Sequence, residues 1–137
     1  GYVGSALVPK LIAAGHDVEG VDLCWFGVNL DCPLHRMDFT EVPLDGFDAI
    51  IHLAGISNDP MGELNPKLAW ETNVLGTALL AQKGVRQFIY ASSGSVYGVS
   101  DAPEVIESTP LVPISDYNKT KMIAERVLLS HHWNLKQ

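Results

Sequence analysis

The chain has 137 residues, 47% hydrophobic and 18% charged, enough for one domain or part of one with a core of its own. Its net charge of −7 excludes a general affinity for nucleic acid or an anionic membrane surface, so any anionic ligand must be held locally by backbone amides. No apolar run approaches the ~18 residues of a membrane span, and no secretory leader is visible. Cys24 and Cys32 have neither metal-ligand spacing nor a disulfide framework, which is the usage of reduced thiols in a cytoplasmic protein.

In chain order, Ser5 to Ala14 is apolar at helical spacing (Leu7, Leu11, Ala14) and stops at Gly15. A short strand is expected from His16 to Asp22. Leu23 to Val42 resists assignment beyond a faint third strand at His35 to Met37. Phe47 to Leu53, F-D-A-I-I-H-L, is an apolar run that suits a parallel strand covered on both faces. Asn65 as cap and Pro66 in the first turn open a helix that runs to about Gln82. Gln87 to Ser92 is a further buried strand, and Ser115 can cap a last helix from Tyr117 to about His131. His131-His132 has no partner at ligand spacing and reads as a solvated helix end, so no metal site is expected. This alternation is a βαβ series, hence an α/β doubly wound parallel sheet of Rossmann type.

In such sheets ligands sit beyond the carboxyl ends of the strands, where this sequence places Asp22, Asp38, His52-Leu53-Ala54-Gly55 and Ser92-Ser93-Gly94-Ser95. Gly1-Tyr2-Val3-Gly4 has the spacing of the last two glycines of a dinucleotide fingerprint, with Asp22 about 20 residues on, after a strand. The helix N-terminus then offers amides and a positive dipole to a pyrophosphate. Asp22 would accept hydrogen bonds from the adenosine ribose and repel a 2′-phosphate, so NAD is expected over NADP. The fingerprint's first glycine and first strand would precede residue 1.

Tyr117 and Lys121 lie four apart and share one helix face. A tyrosine with its ordinary pKa of about 10 is a poor base at neutral pH, and a lysine ammonium one turn away stabilises the phenolate. Ser93, just past a strand end, can hydrogen-bond a substrate oxygen, and Ser95 belongs to the same substrate-facing turn. The loop G55-I-S-N-D-P-M-G62 also leaves a strand at its carboxyl end. Ser57 and Asn58 therefore face nicotinamide or substrate on one reading, and supply only turn chemistry on the other.

Together these residues resemble the extended short-chain dehydrogenases/reductases, in the NAD-dependent epimerase/dehydratase group that acts on nucleotide sugars. The matching blocks are G1-Y-V-G4, V21-D22, M37-D38, H52-L-A-G55, T72-N-V-L-G-T77, S92-S-G-S-V-Y-G98 and Y117-x-x-x-K121. The resemblance implies that Asp38 contacts the adenine and that Leu53, Ala54 and Gly55 run along the cofactor. It implies Asn73 as a helix residue supporting the site, and Ser93, Tyr117 and Lys121 as the catalytic set, Lys121 also reaching the nicotinamide ribose. It further implies a homodimer through the helices at 65–82 and 117–131. The family's first strand and its substrate-binding part are missing, so residues 1–137 are expected to be a partial NAD-binding domain.

Within the group, dehydratases are expected to carry an Asp-Glu pair after the catalytic Ser/Thr, where this chain has Gly94 and Ser95. The expectation is therefore an NAD-dependent nucleotide-sugar epimerase of the 4-epimerase type, oxidising its substrate transiently to a ketosugar with Tyr117 as base. The alternatives are a one-way dehydrogenase or reductase of a related substrate, and a non-catalytic NAD-binding regulator.

Overall fold

The computed structural model describes residues 1–28, 30–101 and 103–134, with side chains through His131; that of His132 lies outside the described residues. Helix α1 is Tyr2–Ala13, capped by the Gly1 backbone alone, and it begins three residues before the expected Ser5. Pro9 stands inside it, and Gly15, at φ 88°, turns the chain out of it. Two short strands follow, β1 (Gly20–Val21) and β2 (Leu34–His35), paired in parallel with Gly20 opposite Leu34. Strand β1 is much shorter than the stretch His16 to Asp22, because ladder bonds hold a strand only where a neighbour lies beside it.

Strands β3 (Ala49–His52) and β4 (Gln87–Tyr90) pair in parallel from Ala49 opposite Gln87 to His52 opposite Tyr90. The Ala91 amide extends this ladder by donating to the His52 carbonyl at 3.3 Å. Among the described residues, no ladder joins the β1–β2 pair to the β3–β4 pair. The two-sided cover expected for β3 and β4 is therefore only partial: Ile89 remains 45% exposed.

Helix α2 (Asp59–Leu64) occupies the loop whose Asn, Asp and Pro read as turn formers. Those residues also start helices, and here the Asn58 Oδ1 accepts from the Met61 amide at 3.0 Å with Pro60 in the first turn. The long helix after Asn65 forms as expected, with Asn65 Oδ1 accepting from the Leu68 amide at 3.0 Å, but it is not uniform. It runs as α3 (Pro66–Trp70), a π-helical turn (Glu71–Gly76) and α4 (Thr77–Gln82). Helix α5 spans Asp116–Asn134, and the Ser115 hydroxyl accepts from the Asn118 amide at 3.1 Å as its cap.

The core sits where α3, the π turn and α4 lie along α5. Ala69, Thr77, Thr120 and Ala124 are fully buried there, small side chains that let two helix backbones approach. Gly76 extends the same principle outward: a Cβ on it would sit 2.7 Å from the Phe39 ring, so a larger residue there would push that ring aside.

Candidate active site

The residues expected to carry the chemistry stand at the end of β4 and the start of α5. The chain leaves Tyr90 through Ala91 and Ser92 to Ser93, which caps a 3₁₀ turn at Gly94–Tyr97. Ser93 Oγ accepts from the Ser95 amide at 3.2 Å and lies 2.6 Å from Ser95 Oγ. Ser95 Oγ in turn donates to Asn118 Oδ1 at 2.6 Å, which ties the serine turn to the first turn of α5.

Tyr117 and Lys121 share the buried face of α5. Lys121 Nζ donates to the Ala91 carbonyl at 3.0 Å, 4.9 Å from the Tyr90 ring centre and 6.0 Å from that of Tyr117. Burial pulls the Lys121 pKa below its ordinary value. The Tyr90 hydroxyl is buried with no hydrogen-bond partner among the described residues. Burial, with Tyr117 and Glu125 nearby, pushes its pKa well up, so it stays a neutral phenol. Glu125 accepts from Ser92 Oγ at 2.8 Å, a second tie between the strand end and α5.

Asn73 explains the π turn. The turn widens the helix by one residue, and Asn73 is directed inward, 2% exposed. Its Oδ1 accepts from the Ile56 amide at 2.9 Å, and its Nδ2 donates to the Ile56 carbonyl and to Thr120 Oγ1, both at 3.0 Å. Thr120 Oγ1 donates to the Tyr117 carbonyl at 2.7 Å. One amide side chain thus joins the loop after β3 to the backbone of the candidate base. Gly55, at φ 152°, precedes this contact, and a Cβ there would fall 2.6 Å from Asn73 Oδ1. On the other side α2 presses on the tyrosine: a Cβ on Gly62 would lie 3.0 Å from Tyr117 Cβ. A hydrogen bond from Ser115 Oγ to Asp59 Oδ1 holds α2 to the start of α5.

At the other end, the Gly1 nitrogen lies 3.2 Å from Asp22 Oδ2, and the Cys24 amide donates to Asp22 Oδ1 at 2.7 Å. Burial tends to raise the Asp22 carboxyl, and the hydrogen bond from the Cys24 amide lowers it. No side chain caps α1, so the first-turn amides after Gly1 have no partner within the helix. A Cβ on Gly4 would meet only Leu53, at 3.9 Å. First-turn amides without a helix partner, a glycine turn and a carboxylate beside them would fit a dinucleotide's pyrophosphate and ribose.

The remaining candidates divide. Leu53, Ala54 and Gly55 follow β3, and Leu53 reaches Gly4, so they border the glycine turn. Asp38 Oδ1 accepts from both the amide and hydroxyl of Thr40, at 2.8 and 2.6 Å. Asp38, Thr40 and the π-turn residues Glu71 and Thr72 line a cavity of about 190 Å³. Tyr2 and Val3 lie exposed in the first turn of α1. Ser57 is exposed, and Asn58 uses its oxygen to cap α2. His52 is buried, bonded to Thr77 Oγ1 at 3.0 Å, and burial followed by the Lys121 charge brings its pKa down to about 4. Asn118 and Thr120 escaped the sequence reading: Y-N-K-T-K advertises only its tyrosine and lysine, and a buried partner 23 or 47 residues away leaves no local signal. Among the described residues no group of three or more His, Cys, Asp or Glu could hold a metal, and no helix is long and apolar enough to cross a membrane.

Parallel strand pairs with flanking helices and a glycine turn at an acid define a dinucleotide-binding α/β protein. Residues 1–134 match the NAD dependent epimerase/dehydratase family, and the chain belongs to that family of enzymes. It is 34% identical over 155 residues to a UDP-glucose 4-epimerase of Mycolicibacterium smegmatis, covering 98% of this chain and 49% of that one. Its backbone is similar to the UDP-Glc/GlcNAc 4-epimerase of Campylobacter jejuni (TM-score 0.89, 25% identity, 98% of this chain and 47% of that). It is equally similar to DesIV, the dTDP-glucose 4,6-dehydratase of Streptomyces venezuelae, solved with NAD and TYD bound (TM-score 0.89, 27% identity, 99% and 50%). The chain spans less than half the length of the curated relatives it matches.

Proposed function

We propose that these residues form the cofactor-binding and catalytic part of an NAD-dependent nucleotide-sugar 4-epimerase. The observation that carries the reading is the placement of Lys121 Nζ, fixed on the Ala91 carbonyl beside the Tyr117 ring and next to the Ser93 turn. Bound NAD supplies reversible hydride acceptance. Tyr117 takes the proton of the sugar hydroxyl as its carbon is oxidised and returns it once the ketosugar has turned over. Ser93 bonds the same oxygen, and Lys121 keeps a positive charge at the phenolate. Gly1 to Gly4 and Asp22 hold pyrophosphate and ribose, and Asp38 lies towards the adenine. Asn73 fixes the backbone around the nicotinamide end.

Gly94 and Ser95 favour epimerisation over dehydration, since neither can protonate a leaving hydroxyl. Coverage below half of the relatives supports a longer enzyme whose other part holds most of the sugar nucleotide. A cytoplasmic homodimer goes with this reading: Leu68, Leu75 and Leu79 on the long helix and Leu129 on α5 are 41–59% exposed, an apolar surface a second copy would cover.

The test uses the full-length enzyme with UDP-glucose deuterated at C4. Deuterium retained in the C4 epimer, with no net NADH, is the expected result. Stoichiometric NADH with a single ketosugar product would make the protein a dehydrogenase instead.

A further inference from the structure

We propose that Tyr90 is a positioning residue whose ring face holds the Lys121 ammonium beside Tyr117. The inference rests on the reading of Lys121 as the cation that steadies the Tyr117 phenolate. A buried ammonium is costly unless charges or dipoles of opposite sense surround it. Lys121 is 7% exposed, yet among the described residues no carboxylate pairs with it. Its Nζ donates to the Ala91 carbonyl at 3.0 Å and stands over the Tyr90 ring, 4.9 Å from the centre. That is within the ~6 Å reach of a cation–π contact, which strengthens away from water. The Tyr117 ring, at 6.0 Å, lies at the limit of that reach.

The end of β4 supplies both contacts from consecutive residues, the face of Tyr90 and the carbonyl of Ala91. Tyr90 stands opposite His52 in the β3–β4 ladder with the ring centres 5.8 Å apart, which fixes the face Lys121 meets. The Tyr90 hydroxyl is buried without a partner among the described residues, so the ring and not the hydroxyl makes the contact. The titratable groups around Lys121 are Tyr117 and Glu125 on α5, Tyr90 on β4 and His52 on β3. Burial keeps Tyr90 and His52 neutral, and Glu125, one turn on, accepts from Ser92 Oγ instead of pairing with the lysine. A π face attracts the ammonium but, unlike a carboxylate, brings no full negative charge to cancel its field at Tyr117.

The experiment grades the ring at position 90 in the full-length enzyme with NAD. Tyr90→Leu removes the face and should lower kcat about tenfold, with KM for the sugar nucleotide unchanged within about twofold. Tyr90→Phe, which keeps the face, should restore most of it. Trifluorophenylalanine at the same position keeps the shape of phenylalanine but drains its negative face, and should fall between the two. In the Lys121→Met background the whole series should differ by less than about twofold, because the cation it holds is gone. A trifluorophenylalanine enzyme as active as Tyr90→Phe, or the full series persisting with Lys121→Met, overturns the proposal. A readout independent of turnover separates this from the epimerase assignment. The carbon-13 resonance of Lys121 Cε, assigned by its loss in Lys121→Met, should titrate at a lower pH with trifluorophenylalanine than with Tyr90→Phe. An unmoved or raised midpoint overturns the cation–π contact, whereas a lowered midpoint in an enzyme without epimerase activity removes only the assignment.

Discussion

The region around α5 and the region around Gly1 and Asp22 solve the problem of placing polar groups in opposite ways. Around α5, side chain meets side chain: Asn73 with Thr120 and His52 with Thr77 in the buried interior, Ser95 with Asn118 at its half-buried edge. At the glycine turn, a half-buried carboxylate meets main-chain nitrogens, those of Gly1 and Cys24. A proton transfer needs atoms held in one orientation, and buried hydrogen-bond networks supply that, because every alternative leaves a donor or acceptor unmet. Holding a dinucleotide's anionic and hydroxyl groups needs only amides and a carboxylate along the path of the chain. Substitutions in the first region should therefore be costly and specific, and those in the second mild and confined to the cofactor.

The sharpest contrast comes from Tyr117→Phe in the full-length enzyme. It should keep fold and NAD affinity while turnover drops about 10²–10⁴-fold, the usual contribution of one positioned proton-transfer group. Undiminished turnover would remove the proposed base.

His52 makes the buried side pH-sensitive. Its pKa falls from 6.5 to about 4 in the folded chain, so between those values the unfolded chain binds a proton that the native one does not. Its contribution is thus fully present above pH 6.5 and lost as the pH falls toward 4. The whole shift is worth about 3 kcal/mol. Urea melts across that window should show stability rising with pH, and His52→Gln should flatten the rise; an unchanged slope would mean the histidine is not held neutral.

Asn73→Leu keeps the branching of the side chain and leaves both backbone groups of Ile56 without their partner. A loss of about 2–3 kcal/mol in chemical denaturation is expected, with kcat reduced as well because Thr120 and Tyr117 lose their link to the loop. A stability loss with kcat intact would confine Asn73 to folding.

The glycine-turn region should give the smallest effect. Asp22→Ala is expected to leave the melting point nearly unchanged and to narrow the preference for NAD over NADP by about tenfold, roughly the value of a charged hydrogen bond. Fluorescence titration with both reduced cofactors measures it, and an unchanged ratio would take Asp22 out of the ribose site.

Legibility followed the same divide. The blocks along the strand ends announced themselves, and the caps at Asn65 and Ser115 stand where their side chains predicted, since a cap needs only the two or three residues after it. The loop from Gly55 to Gly62 was readable only in part, because Asn-Asp-Pro starts a helix as readily as it makes a turn, and packing against Tyr117 selected α2. The π turn had no local sign, since its cause is the partner that Asn73 finds at Ile56 and Thr120.

By itself the sequence determined the alternation of strands and helices, the glycine turn with its acid, and the shared face of Tyr117 and Lys121. Each of these follows from the helical period, the strand period or backbone conformation over a few residues. Only the tertiary structure decided that Asn118 would reach Ser95, that Asn73 would bridge the β3 loop and α5, and that His52 would be neutral. An apolar periodicity says which face of an element turns inward, but the partner of a buried polar atom depends on which other element lies across the interface.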